Sequence, residues 1–138
     1  KPIYDALEKN RGKVIYFDFW ARWCPPCLAE MEPLKQLRSK FSTDDLIIYS
    51  ICVSEPKEQW EECLNEYSLK NRGIECVHVT DYLGIDNYQK IRKQWKIDRM
   101  PYYILINRKG QIIDFGTAAR PSNPQLVSRI EEAVKDTK

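Results

Sequence analysis

Phe17-Asp18-Phe19-Trp20-Ala21-Arg22-Trp23-Cys24-Pro25-Pro26-Cys27 is the stretch that decides how this chain folds. It runs from an apolar segment through a short turn into two cysteines in Cys-x-x-Cys spacing. Val14 to Trp20 is apolar on both faces, which predicts a strand buried in the middle of a sheet. After the turn Ala21-Arg22-Trp23, helical spacing carries Leu28, Met31, Leu34 and Leu37 from about Cys24 to Phe41. Two thiols three residues apart at a helix start share a face and can alternate between dithiol and disulfide. Cys24 stands where unsatisfied N–H groups and the helix dipole favour an anion. That environment lowers a thiol from about 8.5 into the range of roughly 3.5–7.5. Pro25 and Pro26 suit a first helical turn, where a missing N–H costs nothing. A zinc half-site or two inert thiols would give the same spacing. Structural zinc, however, needs four ligands, and the chain has no second Cys-x-x-C and one histidine, His78.

Outward from this stretch, strands and helices alternate. Lys1 to Asn10 reads as a helix with Ile3, Ala6 and Leu7 on one face, ended by Gly12. Leu46 to Val53 is a second buried strand. Ser54-Glu55-Pro56 opens a helix with Trp60, Cys63, Leu64 and Tyr67 on one side. Cys76 to Val79 is a short strand candidate, and Asn87 to Trp95 a helix with Tyr88, Ile91 and Trp95 inward. Tyr102 to Ile106 and Gln111 to Phe115 form strands joined across Asn107-Arg108-Lys109-Gly110. Asn123-Pro124 caps a last helix carrying Leu126, Val127, Ile130, Ala133 and Val134 on one side. The order αβαβαβαββα predicts an α/β domain with a mainly parallel sheet, covered on both faces and closed by an antiparallel hairpin.

Composition narrows the function classes. The 138 residues are 43% hydrophobic and 30% charged, with a net charge of +2. One core fits that content, and one domain over residues 1–138 is expected. The near-neutral charge lacks the basic footprint of nucleic-acid or anionic-membrane binding. No apolar run approaches the roughly 18 residues of a spanning helix. The start at Lys1 reads as an excised piece of a longer tethered or multidomain product. Five cysteines are too few for a disulfide-stapled fold of this length and odd in number, so one at least is unpaired.

The segment Phe17 to Cys27 resembles the strand–turn–helix active-site segment of the thioredoxin superfamily. Met100-Pro101, before the strand Tyr102 to Ile106, resembles its cis-proline, and Asn107 to Gly110 with the following strand resembles its closing hairpin. The likeness runs from about Gly12 to the last helix. It implies a thioredoxin-like three-layer α/β/α sandwich with a mixed central sheet. Glu55 to Val79, an inserted helix and strand, and Glu30 after Cys27 are similar to the TlpA/ResA-like branch, which is extracytoplasmic and membrane-tethered in bacteria. Two positions depart from the family pattern. Pro33 follows Cys27 by six residues where five is usual, and Arg99-Met100 stands where glycine and a β-branched residue are common.

The resemblance implies a thiol–disulfide oxidoreductase that exchanges the Cys24–Cys27 couple with cysteine pairs of protein substrates, with reduction the expected direction. Cys24 is the expected nucleophile and Cys27 the more buried resolving thiol. Asp18, an acid in an apolar strand, should be hard to ionise; the family assigns the matching aspartate to moving the proton of the second cysteine. Trp23, Pro25, Pro26, Met100 and Pro101 are expected to bind substrate, while Trp20 is equally consistent with packing. No metal or organic cofactor is expected. Expected partners are disulfide-bearing proteins and an upstream electron-donor protein, with no nucleic acid, and with membrane contact only through a tether outside this chain. A monomer outside the cytoplasm is the favoured setting. A cytosolic thioredoxin, a thiol peroxidase and a non-enzymatic binding module are the competing classes. Cys52 and Cys63 read as core residues, Cys76 as a strand-start thiol able to reach Cys63 if the insertion folds that way, and His78 as a strand or surface residue.

Overall fold

Strand β1 (Val14–Trp20) is buried at every position and lies at the centre of a five-stranded sheet. The computed structural model describes residues 2–54 and 56–136. Lys1 and Glu55, placed by the sequence reading in helix starts, lie outside them. The elements are α1 (Pro2–Lys9), β1, α2 (Pro25–Ala29), α3 (Met31–Lys40), β2 (Leu46–Cys52), α4 (Lys57–Glu66), β3 (Ile74–His78), α5 (Val79–Tyr82), α6 (Ile85–Gln94), β4 (Tyr102–Ile106), β5 (Ile112–Gly116) and α7 (Pro124–Lys135). The sheet order is β3-β2-β1-β4-β5. β1 pairs in parallel with β2, and β2 with β3; β4 runs antiparallel to both β1 and β5.

The sheet is therefore mixed, as the family resemblance implies, and the mainly parallel sheet expected from the alternation of elements is corrected: two of its four pairings are antiparallel. A helix between two strands need not make a parallel crossover: the chain leaves β3 beside the C-terminal end of β1 and re-enters the sheet at that same end, with Tyr102 opposite Phe19. Strand side chains alternate between faces. Odd positions of β1 (Ile15, Phe17, Phe19) pack with Ile3 and Ala6 of α1 and with Tyr88 and Ile91 of α6. Even positions (Val14, Tyr16) pack with Leu34 and Leu37 of α3 and with Leu126 and Ile130 of α7. These two clusters make the three layers, and they explain why β1 carries no polar face.

The single helix expected from about Cys24 to Phe41 is two helices, broken at Glu30. Pro33 supplies the reason. A proline ring clashes with the carbonyl four residues earlier and offers no N–H to it, and here that carbonyl belongs to Ala29, the last residue of α2. Starting α3 at Met31 puts Pro33 in its first turn, where it is tolerated. The departure of Pro33 from the family spacing is thus absorbed by the break.

Smaller differences follow from capping. β3 spans Ile74–His78 rather than Cys76 to Val79, because His78 caps α5, a turn not foreseen, by accepting the Thr80 N–H on its Nδ1. α6 starts at Ile85 instead of Asn87, after Gly84 takes a φ of 78° that side chains other than glycine rarely adopt. α7 begins as expected: Asn123 Oδ1 accepts the Gln125 N–H at 3.0 Å. Asn123→Ala is expected to lower the unfolding free energy by about 1 kcal/mol, read as a shifted urea midpoint with an unchanged slope.

Candidate active site

Cys24 and Cys27 are joined by a disulfide, their Cα atoms 5.3 Å apart. Cys24 is the N-cap of α2 in extended backbone, and Pro25 and Pro26 fill the first two helical positions. Neither proline has an N–H, so the first amide of this helix that can point back is that of Cys27. It donates to Cys24 Sγ at 3.2 Å. A sulfur in that place gains from the amide and from the helix start when it carries negative charge.

Both cysteines are buried, with Cys27 at 2% exposure scarcely more so than Cys24 at 4%. Access differs through their neighbours instead. Trp23 is 64% exposed and Pro25 and Pro26 are exposed, framing Cys24, whereas Cys27 faces inward. Trp20, fully buried, packs with both cysteines, Met31, Cys52, Cys63, Leu64 and Leu69 in one cluster. Trp20 is thus a packing residue, and α4 of the insertion lines the inner side of the disulfide. The half-buried Met100 packs against this cluster. The Met100–Pro101 peptide is cis, and the Pro101 carbonyl accepts the Thr117 hydroxyl at 2.9 Å.

Asp18 lies one step from Trp20 on the same face of β1, 4% exposed. Burial pushes its carboxyl up from the ordinary range to about 7; the Ser50 hydroxyl counters this and the nearby Glu30 carboxylate adds to it. Glu30 sits at the α2–α3 break. Its carboxylate accepts the Ser122 N–H at 2.9 Å and the Ser122 hydroxyl at 2.7 Å, and Arg120 approaches at 4.0 Å.

Sequence reasoning passed over the loop after β2. Ser54 Oγ accepts the Arg22 N–H at 2.9 Å, and the Trp20 carbonyl accepts the Val53 N–H at 2.8 Å. His78 Nε2 bonds the Ser54 carbonyl at 2.7 Å, while its Nδ1 accepts the Thr80 N–H. His78 is a buried strand-end residue, not a surface one. Cys52, Cys63 and Cys76 are free thiols, so the Cys63–Cys76 bridge is not formed. Burial raises all three, Cys76 to about 11, which leaves them poor nucleophiles beside the Cys24–Cys27 couple. Among the described residues, no group of three or more His, Cys, Asp or Glu side chains could hold a metal ion.

Comparison with known proteins agrees with this geometry. The Redoxin family model matches residues 4–134, nearly the whole chain. The chain belongs to the Redoxin family. Among curated relatives, the thiol-disulfide oxidoreductase ResA of Bacillus thuringiensis is 26% identical over 108 residues, 78% of this chain and 57% of that protein. This Redoxin chain thus spans little more than half the length of that relative. A candidate thiol-disulfide oxidoreductase from Bacteroides vulgatus, solved in solution, is 33% identical with a TM-score of 0.70, over 91% of this chain and 76% of that one. A thiol:disulfide interchange protein from a Bacteroides species, 23% identical, superposes with a TM-score of 0.75 over 96% of this chain and 80% of that one, which supports the thioredoxin-like fold.

Proposed function

We propose that residues 1–138 are one thiol–disulfide oxidoreductase domain that reduces disulfides of protein substrates through the Cys24–Cys27 couple. The observation that carries this reading is the Cys24–Cys27 pair at the start of α2, with a helix amide on Cys24 Sγ and the exposed Trp23 beside it. In the reduced domain, the Cys24 thiolate attacks one sulfur of a substrate disulfide. A Cys24–substrate bond forms, the substrate's S–S bond breaks, and its other sulfur leaves as a thiolate and is protonated. Asp18, as carboxylate, takes the proton of Cys27. The Cys27 thiolate then attacks Cys24 Sγ, closing the Cys24–Cys27 disulfide and expelling the second substrate thiolate. The substrate has gained two electrons and the domain has lost two.

Substrate binding falls to Trp23, Pro25, Pro26 and the Met100–Pro101 segment, whose main chain can pair with an extended peptide. Arg99, 72% exposed and next to Met100, pairs with the equally exposed Asp98 at 3.7 Å, so that edge carries an ion pair. No metal or organic cofactor takes part. The reducing direction, an extracytoplasmic setting, a monomeric state and an upstream electron-donor protein rest on the likeness to ResA and its branch.

The test is a redox titration of the purified domain. A reversible two-electron couple confined to Cys24 and Cys27, between roughly −120 and −300 mV, is the expected result. A pair that stays oxidised below that span would make the bond a structural one and sink the reading.

A further inference from the structure

We propose that Ser50 is a positioning residue for the reaction: its hydroxyl holds the Asp18 carboxyl and sets the pH at which that group accepts the proton of Cys27. The inference rests on the assignment of Asp18 as proton acceptor made above.

Ser50 lies in the interior of β2, in the run Leu46-Ile47-Ile48-Tyr49-Ser50-Ile51-Cys52, and is fully buried. A hydroxyl there costs free energy unless it is bonded. The parallel register sets Ser50 directly against Asp18, which puts the two side chains on one face of the sheet. The Ser50 hydroxyl donates to Asp18 Oδ2 at 3.4 Å. That separation is long for an O–H···O contact, and charge on the acceptor strengthens such a bond.

The surroundings of Asp18 give this one contact its weight. The titratable groups in electrostatic reach are Glu30 from the α2–α3 junction, Tyr16 on β1, Tyr103 on β4, Cys52 on β2 and Cys76 on β3. None is a cation. Arg120 approaches Glu30 at 4.0 Å. Burial and Glu30 both oppose ionisation of Asp18, and among the described residues the Ser50 hydroxyl is the group that favours it. Among the described residues no other side-chain hydrogen bond supports the buried carboxylate once that hydroxyl is removed.

The expected consequence is a displaced pH profile. A hydrogen bond to a charged group corresponds to a shift of about one pH unit or more. With the midpoint moved from about 7 to about 8, the ionised fraction at pH 7 falls roughly five-fold, while at pH 9 it hardly changes.

The experiment mixes the reduced domain with dithiobis(nitrobenzoate) in a stopped-flow instrument at pH 6–9. The first thionitrobenzoate release reports attack by Cys24; the second reports resolution by Cys27. Ser50→Ala is expected to slow the second release about five-fold at pH 7 and to match wild type at pH 9, with Ser50→Thr keeping the wild-type midpoint. An equal loss at every pH would make Ser50 a packing residue and overturn the proposal, as would an unmoved midpoint. Direct titration of Asp18 by carbonyl carbon NMR in the same proteins gives a second reading of the midpoint, independent of the resolution rate. Asp18→Asn separates the two assignments. If it keeps the wild-type profile, the role of Asp18 itself is overturned. If it removes the step near pH 7 while Ser50→Ala leaves the midpoint in place, only the role of Ser50 fails.

Discussion

Cys24→Ser is expected to reduce protein-disulfide reduction to the uncatalysed background, a loss of roughly a thousand-fold or more, because a hydroxyl cannot form the mixed disulfide. The fold should survive the change. Cys24 is the N-cap of α2, and serine is among the preferred residues at that position, so the helix start keeps an acceptor for the Cys27 amide. The remaining thiols are no substitute: Cys52 is fully buried, and Cys52, Cys63 and Cys76 are all raised by burial. Cys27→Ser should behave differently. Attack by Cys24 remains, resolution is lost, and a mixed disulfide with the substrate accumulates and is visible by intact mass. Cys24→Ser is measured by insulin reduction with dithiothreitol as the electron source, and the Cys27→Ser adduct by mixing the pre-reduced variant with insulin after dithiothreitol, which would cleave it, has been removed. Residual turnover in Cys24→Ser above a few per cent, or a trapped adduct on the wrong cysteine, would reverse the assigned order.

The strongly patterned elements were legible in the sequence. Val14 to Trp20 is apolar at nearly every position, and it is the fully buried β1. Tyr102 to Ile106 is the strand expected, and Asn123 caps α7 as its side chain suggested. What escaped depends on contacts between distant residues. The break at Glu30 required knowing that Pro33 conflicts with the Ala29 carbonyl, and a continuous apolar stripe through Leu28, Met31 and Leu34 concealed it. The antiparallel entry of β4 beside β1 depends on where α6 and the following loop send the chain, which periodicity does not encode. Turn α5 is held by a capping bond from His78, a residue whose ring could equally have faced solvent.

The site divides along the same line. Cys24, Cys27 and Asp18 stood out because each is a residue type that its setting does not explain by packing. The same argument applied to Ser50, the one small polar side chain of an otherwise apolar and aromatic strand, would have found it too. Register alone reveals that it lies against Asp18. Ser54 gave no such signal: it follows a strand and precedes a proline by two residues, as loop serines often do. Its bonds to the Arg22 amide, and through its carbonyl to His78, tie the insertion to the turn before Cys24. The charged groups at the rim, Arg99 and Arg120, belong to loops whose positions emerge only with the fold.

Asp18→Asn is expected to stabilise the domain by about 2–4 kcal/mol at pH 8 and to change little at pH 4. The sign follows from proton linkage. Asp18 titrates near 7 in the folded domain and near 3.9 in the unfolded chain. Below pH 4 both states hold the proton and the acid has no net effect. Between pH 4 and pH 7 the unfolded chain has released it and the folded domain has not, so unfolding becomes easier as pH rises. Above pH 7 the carboxylate is ionised in both states and the cost levels off. Three units correspond to about 4 kcal/mol, from which imperfect pairing of the buried amide subtracts. Urea unfolding of the oxidised proteins at pH 4, 5.5 and 8 measures the effect. A difference independent of pH, or a variant less stable than wild type at pH 8, would contradict the buried-acid account. The same variant should slow release of the second thionitrobenzoate near neutral pH. Gain in stability with loss of rate is the pattern expected of a group kept for its proton chemistry rather than for folding, and observing both would support the role proposed for Asp18.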